Sequence, residues 1–180
     1  MLLQAAGVEH RPVDPPIEEP RDIDERLTPS QHAEALAYFK ASSVDRPDRD
    51  CAILGADTVV SLDGDILGKA PGPSEAAQML ARLSGTRHEV ITGLALLGPD
   101  HWRMIASATT YVTMRTMTED EIDQYVQSGE WRGKAGSYAI QETGDRFVVD
   151  VEGSFSNVVG LPMELVARML DLFNTRNDGV

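Results

Sequence analysis

The chain has 180 residues, of which 42% are apolar and 25% are charged, a composition that excludes global disorder and suits one domain or one domain of two lobes. Its net charge of -13 argues against a general nucleic-acid-binding protein, which would carry a basic face. The sequence has no run of the roughly 20 apolar residues that a membrane span needs, no signal-peptide pattern, and a single cysteine, so we expect a cytoplasmic protein that binds neither membrane nor nucleic acid.

In chain order, the first patterns predict a helix end, a helix and a hairpin, at residues 1–7, 28–43 and 51–67. The helix end is closed by Gly7. The next helix opens with the capping box Thr28-Pro-Ser-Gln31, which has proline at the first helical position. The hairpin turns at Asp63-Gly64, and Cys51 begins its apolar first strand, where we expect it to be buried.

The remaining patterns predict a helix, two long strands, a short helix, two short strands and a terminal helix, at residues 74–83, 88–97, 102–114, 118–129, 138–141, 147–151 and from 162 onward. The long strands are joined by a tight turn at Gly98-Pro-Asp100. A second capping box, Thr118-Glu-Asp-Glu121, opens the short helix. Because strands and helices alternate irregularly, with hairpins among them, we predict an α/β domain with a mixed sheet.

Lysine is rare in this chain, which carries sixteen lysines and arginines together but only Lys40, Lys69 and Lys134 as lysines. Two of them follow glycine, in Gly68-Lys69 and Gly133-Lys134. Glycine beside lysine lets backbone amides and an ammonium group approach a phosphate together. Short Gly-Lys pairs also occur in ordinary surface turns, so each pair by itself is a weak indication.

Asp57 leaves a buried strand, and a carboxylate at the end of a strand in an α/β fold often faces the ligand crevice. There it would hold Mg²⁺ or accept a proton from an attacking water. A turn cap through its own backbone is the equally weighted alternative. Gln141 ends a predicted strand, where its amide would read the edge of a base or, more ordinarily, pair with backbone.

His88 enters a strand without a serine or cysteine partner, so we interpret it as a hydrogen-bonded structural residue. The four histidines are scattered, and no zinc site is predicted. The segment from Gly153 to Pro162 combines glycines, serines and an asparagine before a helix. We expect it to shape one wall of a cleft.

Several motifs occur in the order in which the Maf family of nucleotide pyrophosphatases carries them, and they cover nearly the whole chain. They are Leu54-Gly-Ala-Asp-Thr-Val-Val60, Ile66-Leu-Gly-Lys69, Leu83-Ser-Gly85 with His88 and Thr92-Gly93, Ser128-Gly-Glu130 with Lys134-Ala-Gly136, Tyr138-Ala-Ile-Gln141, and Gly153-Ser154 through Asn157-Val-Val-Gly-Leu-Pro162. The chain therefore resembles this family.

The resemblance implies an elongated, two-lobed α/β fold like that of inosine triphosphatases, with the nucleotide in a cleft between the lobes. It implies metal-dependent cleavage of a nucleoside triphosphate into a monophosphate and pyrophosphate, with Mg²⁺ or Mn²⁺ as the divalent cation. Asp57 matches the family's proton acceptor and, with Glu19, its acidic metal-binding positions. Lys69 and Lys134 match its phosphate-contacting lysines, and Lys40 also lies where the family tends to carry a lysine.

The resemblance also implies which nucleotide base the substrate carries. Thr58 and Gln141 are similar to the subgroup that acts on dTTP and UTP, as opposed to the subgroup that acts on 7-methyl-GTP. Ala70 departs from the family pattern in a minor way, since proline usually follows the lysine.

The family opens with a strand and a Ser-x-Ser-x-Arg-Arg loop, whereas this sequence begins inside the helix that follows. We therefore expect residues 1–180 to form one Maf-like domain that is incomplete at its N-terminus relative to the family. A strand edge left unpaired would favour self-association, so a homodimer is expected. The alternative function is that of a non-catalytic nucleotide- or partner-binding protein that has lost its phosphate loop.

Overall fold

The computed structural model describes residues 2–16, 20, 26–45, 51–140 and 143–177, and its strands pair into one sheet. The strands are β1 (Ile53–Leu62), β2 (Asp65–Leu67), β3 (Arg87–Leu97), β4 (Arg103–Met114) and β5 (Val148–Glu152). The helices are α1 (Leu2–Ala5), α2 (Pro29–Ser42), α3 (Pro73–Leu83), α4 (Glu119–Ser128), α5 (Phe155–Val158) and α6 (Met163–Asn177), with a 3-10 turn at Thr143–Phe147. The strand order is β2-β1-β3-β4-β5. The predicted α/β class is confirmed, and the pairings among these strands are all antiparallel.

Local sequence signals fix the ends of the helices as predicted. Thr28 caps α2 by accepting a hydrogen bond from the backbone N–H of Gln31, whose side chain accepts from the backbone N–H of Thr28. Thr118 and Glu121 form the same reciprocal pair at the start of α4, which ends at Gly129 in the left-handed conformation. Each pair satisfies N–H groups that the first helical turn leaves without intrahelical partners.

Helix α2 lies unusually close to the sheet because both surfaces carry very small residues. A side chain at Gly55 would place its Cβ 2.3 Å from the carbonyl oxygen of Ala37, and one at Gly93 would lie 2.3 Å from the carbonyl carbon of Ala33. Ala33 and Ala37 are themselves fully buried. These contacts fix the position of α2 over β1 and β3, and hence the position of every side chain that the helix projects along the sheet.

The two largest hydrophobic clusters of the described residues lie along the long strands. The larger cluster joins the Val60 and Val90 region of the sheet to α3 and α4, and its largest fully buried members are Tyr125 and Phe147. The second cluster joins Leu94 and Leu96 to α6. Because β3 runs from one cluster into the other, the middle of the sheet lies between two separately packed regions. Among the described residues, no helix is long and apolar enough to cross a membrane.

The predicted strand at residues 138–141 is wrong over its described part, since residues 138–140 form no strand. Ser137 has a φ of 62°, so the chain turns immediately before this segment. Tyr138 instead directs its hydroxyl at the ring of His88. A tertiary contact thus replaces the strand pairing that the apolar pattern suggested, and an isolated bridge between Lys69 and Ala135 is the pairing that remains nearby.

Two smaller predictions are also wrong. The turn between β3 and β4 is centred on Asp100 and His101, with φ values of 53° and 61°, one residue later than predicted. The backbone N–H of Trp102 closes it by donating to the carbonyl of Pro99. Two successive positive φ angles give the hairpin turn whose twist matches that of antiparallel strands. Cys51 is exposed, because β1 begins at Ile53 and leaves it outside the sheet.

His88 is a structural residue, as its sequence context indicated. It is 1% exposed, and its Nε2 lies 2.9 Å from the hydroxyl of Tyr138. Its Nδ1 has no hydrogen-bond partner within the described part of the chain. Burial lowers the pKa of His88 to about 4, because the charged imidazolium would lose its hydration. Burial likewise raises the pKa of the Tyr138 hydroxyl above its usual range.

The neutral His88 should make folding sensitive to acid. An unfolded chain protonates this histidine near pH 6.5, whereas the folded chain does so near pH 4, so its contribution is complete above pH 6.5 and is lost as the pH falls towards 4. Between pH 7 and pH 4 the parent should lose about 3 kcal/mol more unfolding free energy than His88→Gln, which does not titrate. Urea unfolding at both pH values measures this difference. The exposed His101→Gln control should follow the parent, and equal losses in all three proteins would show that His88 is not the responsive group.

Candidate active site

A cavity of about 310 Å³ lies beside the middle of β1. The polar and charged side chains that line it are Lys40, Asp57, Thr58, Lys69, Lys134 and Tyr138. All three lysines of the chain therefore border one cavity, although they come from α2, from the residues after β2 and from the residues after α4. Of the six residues predicted to be catalytic, substrate-binding or metal-binding, the structure brings together Asp57, Thr58, Lys69 and Lys134, and their chemical roles stay predictions. The other two, Glu19 and Gln141, lie outside the described residues.

Asp57 and Thr58 are consecutive in the chain, and both reach the cavity because it lies at an edge of the sheet. Strand β2 pairs only with Val60–Leu62. Over residues 53–59, β1 has a described strand partner on its β3 side alone. Side chains of Asp57 and Thr58 leave opposite faces of the sheet. Both nevertheless border a cavity that lies against this edge.

Asp57 forms an ion pair with Lys40 across the α2–sheet contact. The Nζ of Lys40 lies 2.5 Å from Oδ1 of Asp57, and their side chains are 19% and 9% exposed. Such a pair interacts more strongly than an exposed one, because water screens it less. The charge on Lys40 therefore stabilises the ionised carboxylate at the cavity wall. The sequence had indicated Lys40 as one of three rare lysines, at a position where the family tends to carry a lysine, but not its contact with Asp57.

The two Gly-Lys segments are held side by side by backbone hydrogen bonds. The N–H of Gly136 lies 3.1 Å from the carbonyl oxygens of Leu67 and Gly68. Gly136 has a φ of 66° and packs against Val60, where an added Cβ would lie 3.0 Å from both methyl groups. Glycine is required here both by the left-handed backbone and by the close approach. This contact is why Lys69 and Lys134, far apart in sequence, line the same cavity.

The segment from Gly153 to Pro162 forms one wall, as its pattern predicted. Val158, Val159 and Gly160 line the cavity, and the carbonyl oxygen of Gly160 lies 3.4 Å from Oγ1 of Thr58. The hydroxyl groups of Ser154 and Ser156 both donate to the carboxylate of Glu164 at the start of α6. These bonds lower the pKa of Glu164, the Ser154 bond most strongly. The wall is therefore fastened to α6 by a carboxylate that stays ionised.

Sequence reasoning missed two neighbours of the predicted site residues. Thr92 is fully buried on β3, and its hydroxyl oxygen lies 2.8 Å from that of Thr58. The sequence offered one signal for Thr92, a threonine beside a glycine in a predicted strand. This signal could not identify Thr58 as its partner, because the strand register decides which residues pair. Tyr138 contributes to the wall through the turn that replaced the predicted strand.

Among the described residues, no cluster of three or more histidine, cysteine, aspartate or glutamate side chains forms a metal-binding group. Asp57 is the one carboxylate among the described residues that line the cavity. One carboxylate suits a Mg²⁺ site that is completed by water and by phosphate oxygens of a ligand. It does not suit a site built from protein ligands alone.

Comparison with known proteins identifies the family to which the chain belongs. The Maf-like protein family model matches residues 1–173. The chain is 43% identical over 163 residues to the dTTP/UTP pyrophosphatase of Ruminiclostridium cellulolyticum, covering 87% of this chain and 84% of that protein. It is 42% identical over 173 residues to the dTTP/UTP pyrophosphatase of Bacillus thuringiensis subsp. konkukian, covering 96% and 89% respectively. The one from Moorella thermoacetica is 44% identical over 163 residues, covering 86% and 82%. A family match over nearly the whole chain, with relatives at this level of identity, establishes that the chain belongs to the Maf-like family.

Proposed function

We propose that this chain hydrolyses nucleoside triphosphates to nucleoside monophosphate and pyrophosphate, with dTTP and UTP as its substrates. The observation that carries the proposal is that the chain's three lysines and Asp57 line one cavity in a protein of net charge -13. A cavity with three ammonium groups and one carboxylate is complementary to a triphosphate that also brings a divalent cation. The names of the relatives support the same reaction and the same substrates.

The lysines would bind the phosphate chain. Lys69 and Lys134 lie on adjacent loops, each beside a glycine, where backbone amides and an ammonium group can approach a phosphate together. Charge-assisted hydrogen bonds of this kind are stronger than neutral ones. They would also stabilise the negative charge that moves onto the leaving pyrophosphate when the bond at the α-phosphorus breaks.

Asp57 would act on the attacking water. The water oxygen forms a bond to the α-phosphorus, its proton passes to the carboxylate of Asp57, and the bond between the α-phosphorus and the bridging oxygen breaks. Lys40 would hold Asp57 in place and keep it ionised before the substrate binds. A divalent cation, Mg²⁺ or Mn²⁺, would be held by Asp57 together with the phosphates and would supply further charge neutralisation. Glu19 is proposed as a second acidic ligand on the family resemblance alone.

The choice of base is proposed for Thr58 and Gln141. Thr58 borders the cavity with a hydroxyl that can donate or accept a hydrogen bond. Thymine and uracil present the same hydrogen-bonding edge, which fits one polar site that accepts both. The role of Gln141 rests on the resemblance to the subgroup that acts on dTTP and UTP.

A substrate panel tests the reaction and the base together. Equal concentrations of dTTP, UTP, CTP, GTP and 7-methyl-GTP, with Mg²⁺ present, should give the highest kcat/KM for dTTP and UTP, and pyrophosphate as the product. The highest value for 7-methyl-GTP would overturn the base assignment. Tight nucleotide binding without pyrophosphate release would favour the non-catalytic alternative.

Replacement of Asp57 by asparagine tests the proton acceptor. Asp57→Asn keeps the shape but cannot take up the proton, so kcat should fall by about 100-fold or more while the melting temperature changes little. The fold should survive because Lys40 is partly exposed and can be solvated without its partner. The control is Asp150→Asn, which removes an exposed carboxylate on β5. Activity of Asp57→Asn within about threefold of the parent would exclude Asp57 as the catalytic group.

Alanine substitutions test the phosphate contacts. Lys69→Ala and Lys134→Ala should each lower kcat/KM by about tenfold or more, because each removes a charge-assisted bond to phosphate. Arg103→Ala removes an exposed cation at the start of β4 and should stay within about twofold of the parent. Similar small effects for all three variants would show that Lys69 and Lys134 do not contact the phosphates and are ordinary surface residues.

A further inference from the structure

We propose that Thr92 is a specificity-determining positioning residue, which donates its hydroxyl hydrogen to Thr58 and so leaves the Thr58 hydrogen for an acceptor atom of the ligand. The inference rests on the proposed function for the identity of the ligand. It rests on hydrogen-bond geometry for the role of Thr92.

The hydroxyl groups of Thr58 and Thr92 face each other across neighbouring strands. The two residues are register partners of β1 and β3, and their oxygens lie 2.8 Å apart. Each hydroxyl has one hydrogen to donate and two lone pairs with which to accept. Only one of the two hydrogens can therefore occupy the short contact between them.

Other acceptors near this pair are more distant. The carbonyl oxygen of Asn157 lies 3.5 Å from Oγ1 of Thr92, and the carbonyl oxygen of Gly160 lies 3.4 Å from Oγ1 of Thr58. The Asn157 carbonyl also accepts the N–H of Gly160 at 2.9 Å. Both side contacts are at the outer limit of hydrogen bonding, so neither competes well with the short bond.

Burial decides the direction of the short bond. Thr92 is fully buried, whereas Thr58 is half-buried and borders the cavity. A buried hydrogen without a good acceptor is costly, while a hydrogen at the cavity wall can turn to water or to a ligand. The favoured arrangement is therefore Thr92 donating to Thr58, with the hydrogen of Thr58 shared between the Gly160 carbonyl and the cavity.

Asn157, which is fully buried, forms hydrogen bonds to both β3 and β4 near the threonine pair. Its Nδ2 lies 2.9 Å from the carbonyl of Val90 and 3.2 Å from that of Ala108. Since both partners are pure acceptors, the nitrogen must face them. A third contact, at 3.0 Å, reaches the hydroxyl of Thr110. The amide thus ties α5, which directly precedes Gly160, to β3 and β4, beside the Thr58–Thr92 pair.

This arrangement gives Thr58 a defined polarity. With one lone pair occupied by Thr92, it offers its hydrogen to the cavity, and it selects a ligand atom that accepts a hydrogen bond. Without the Thr92 hydroxyl, that lone pair is released, and Thr58 can also accept a hydrogen bond from a ligand. Thr92 therefore acts through Thr58 and needs no contact with the ligand.

A double-mutant cycle tests this coupling. The proteins are the parent, Thr92→Val, Thr58→Val and the double variant, with Thr92→Ser as the conservative variant that keeps the hydroxyl. Thr92→Val should weaken binding of a non-hydrolysable UTP analogue with an α,β-imido bridge, and raise KM for UTP, by about five- to tenfold, with kcat changed less. In Thr92→Ser, which keeps the hydroxyl, both the analogue affinity and the KM for UTP should stay within about twofold of the parent. In the Thr58→Val background, the Thr92→Val substitution should have no further effect.

The matched control is Ser61→Ala, which removes a fully buried hydroxyl from β1 and leaves Thr58 and Thr92 unchanged. It should bind the analogue as the parent does. Where Thr92→Val lowers the melting temperature by more than about 5 °C, Thr92→Ala takes its place in the cycle. Additive effects of the two threonine substitutions, or equal losses for Thr92→Val and Thr92→Ser, would overturn the proposal.

The cycle also separates this proposal from the proposed function. A parent that hydrolyses UTP while Thr92→Val leaves KM and analogue binding unchanged contradicts only the role of Thr92. A parent that binds the analogue without releasing pyrophosphate contradicts the hydrolytic function, and the binding cycle then still decides the role of Thr92. A parent that neither binds nor hydrolyses overturns both.

Discussion

The close packing of α2 on the sheet is the constraint on which the candidate site depends. Glycine at positions 55 and 93 and alanine at positions 33 and 37 allow the helix backbone to approach the strands until no side chain separates them. At this distance Lys40, near the end of the helix, reaches Asp57 directly. A larger residue at either glycine would lift the helix, because interiors are close-packed and cannot absorb an added methyl group without displacement. The ion pair would then open before any cavity residue had been changed.

The protein as a whole is negatively charged, whereas lysines outnumber carboxylates in the lining of the cavity. The net charge of -13 repels a polyanion at a distance, whereas the three lysines attract one that has entered. The three lysines that line this cavity carry like charges, which repel one another. Phosphate groups of a ligand would relieve this repulsion, so the same arrangement gives both affinity and a preference for ligands with several negative charges. Every lysine of the chain lines this cavity, and the other Lys and Arg cations are all arginines.

Much of the fold could be predicted because its signals are local. Capping boxes at Thr28 and Thr118 and long apolar alternations located α2, α4, β3 and β4 correctly. The segment at residues 138–140 was mistaken for a strand, because its apolar character reflects a buried contact between Tyr138 and His88 and not sheet pairing. The Lys40–Asp57 and Thr58–Thr92 contacts join residues 17 and 34 positions apart. Partners of this kind follow from the docking of a helix and from strand register, which composition and periodicity do not determine.

The register of β1 against β3 decides which side chains project from each face of the sheet. Asp57 pairs with Gly93 and Thr58 pairs with Thr92. Gly55, Asp57 and Gly93 share the face that receives α2, and Thr58 and Thr92 share the face that receives the loop at Gly160. A slip by one residue would exchange these faces and turn Thr58 towards Lys40. It would also place Ala56 where Gly55 now admits the helix. The glycines that permit the close approach of α2 therefore also specify the register. That register in turn determines how α2 docks, which places Asp57 beside Lys40, and which face Thr58 occupies.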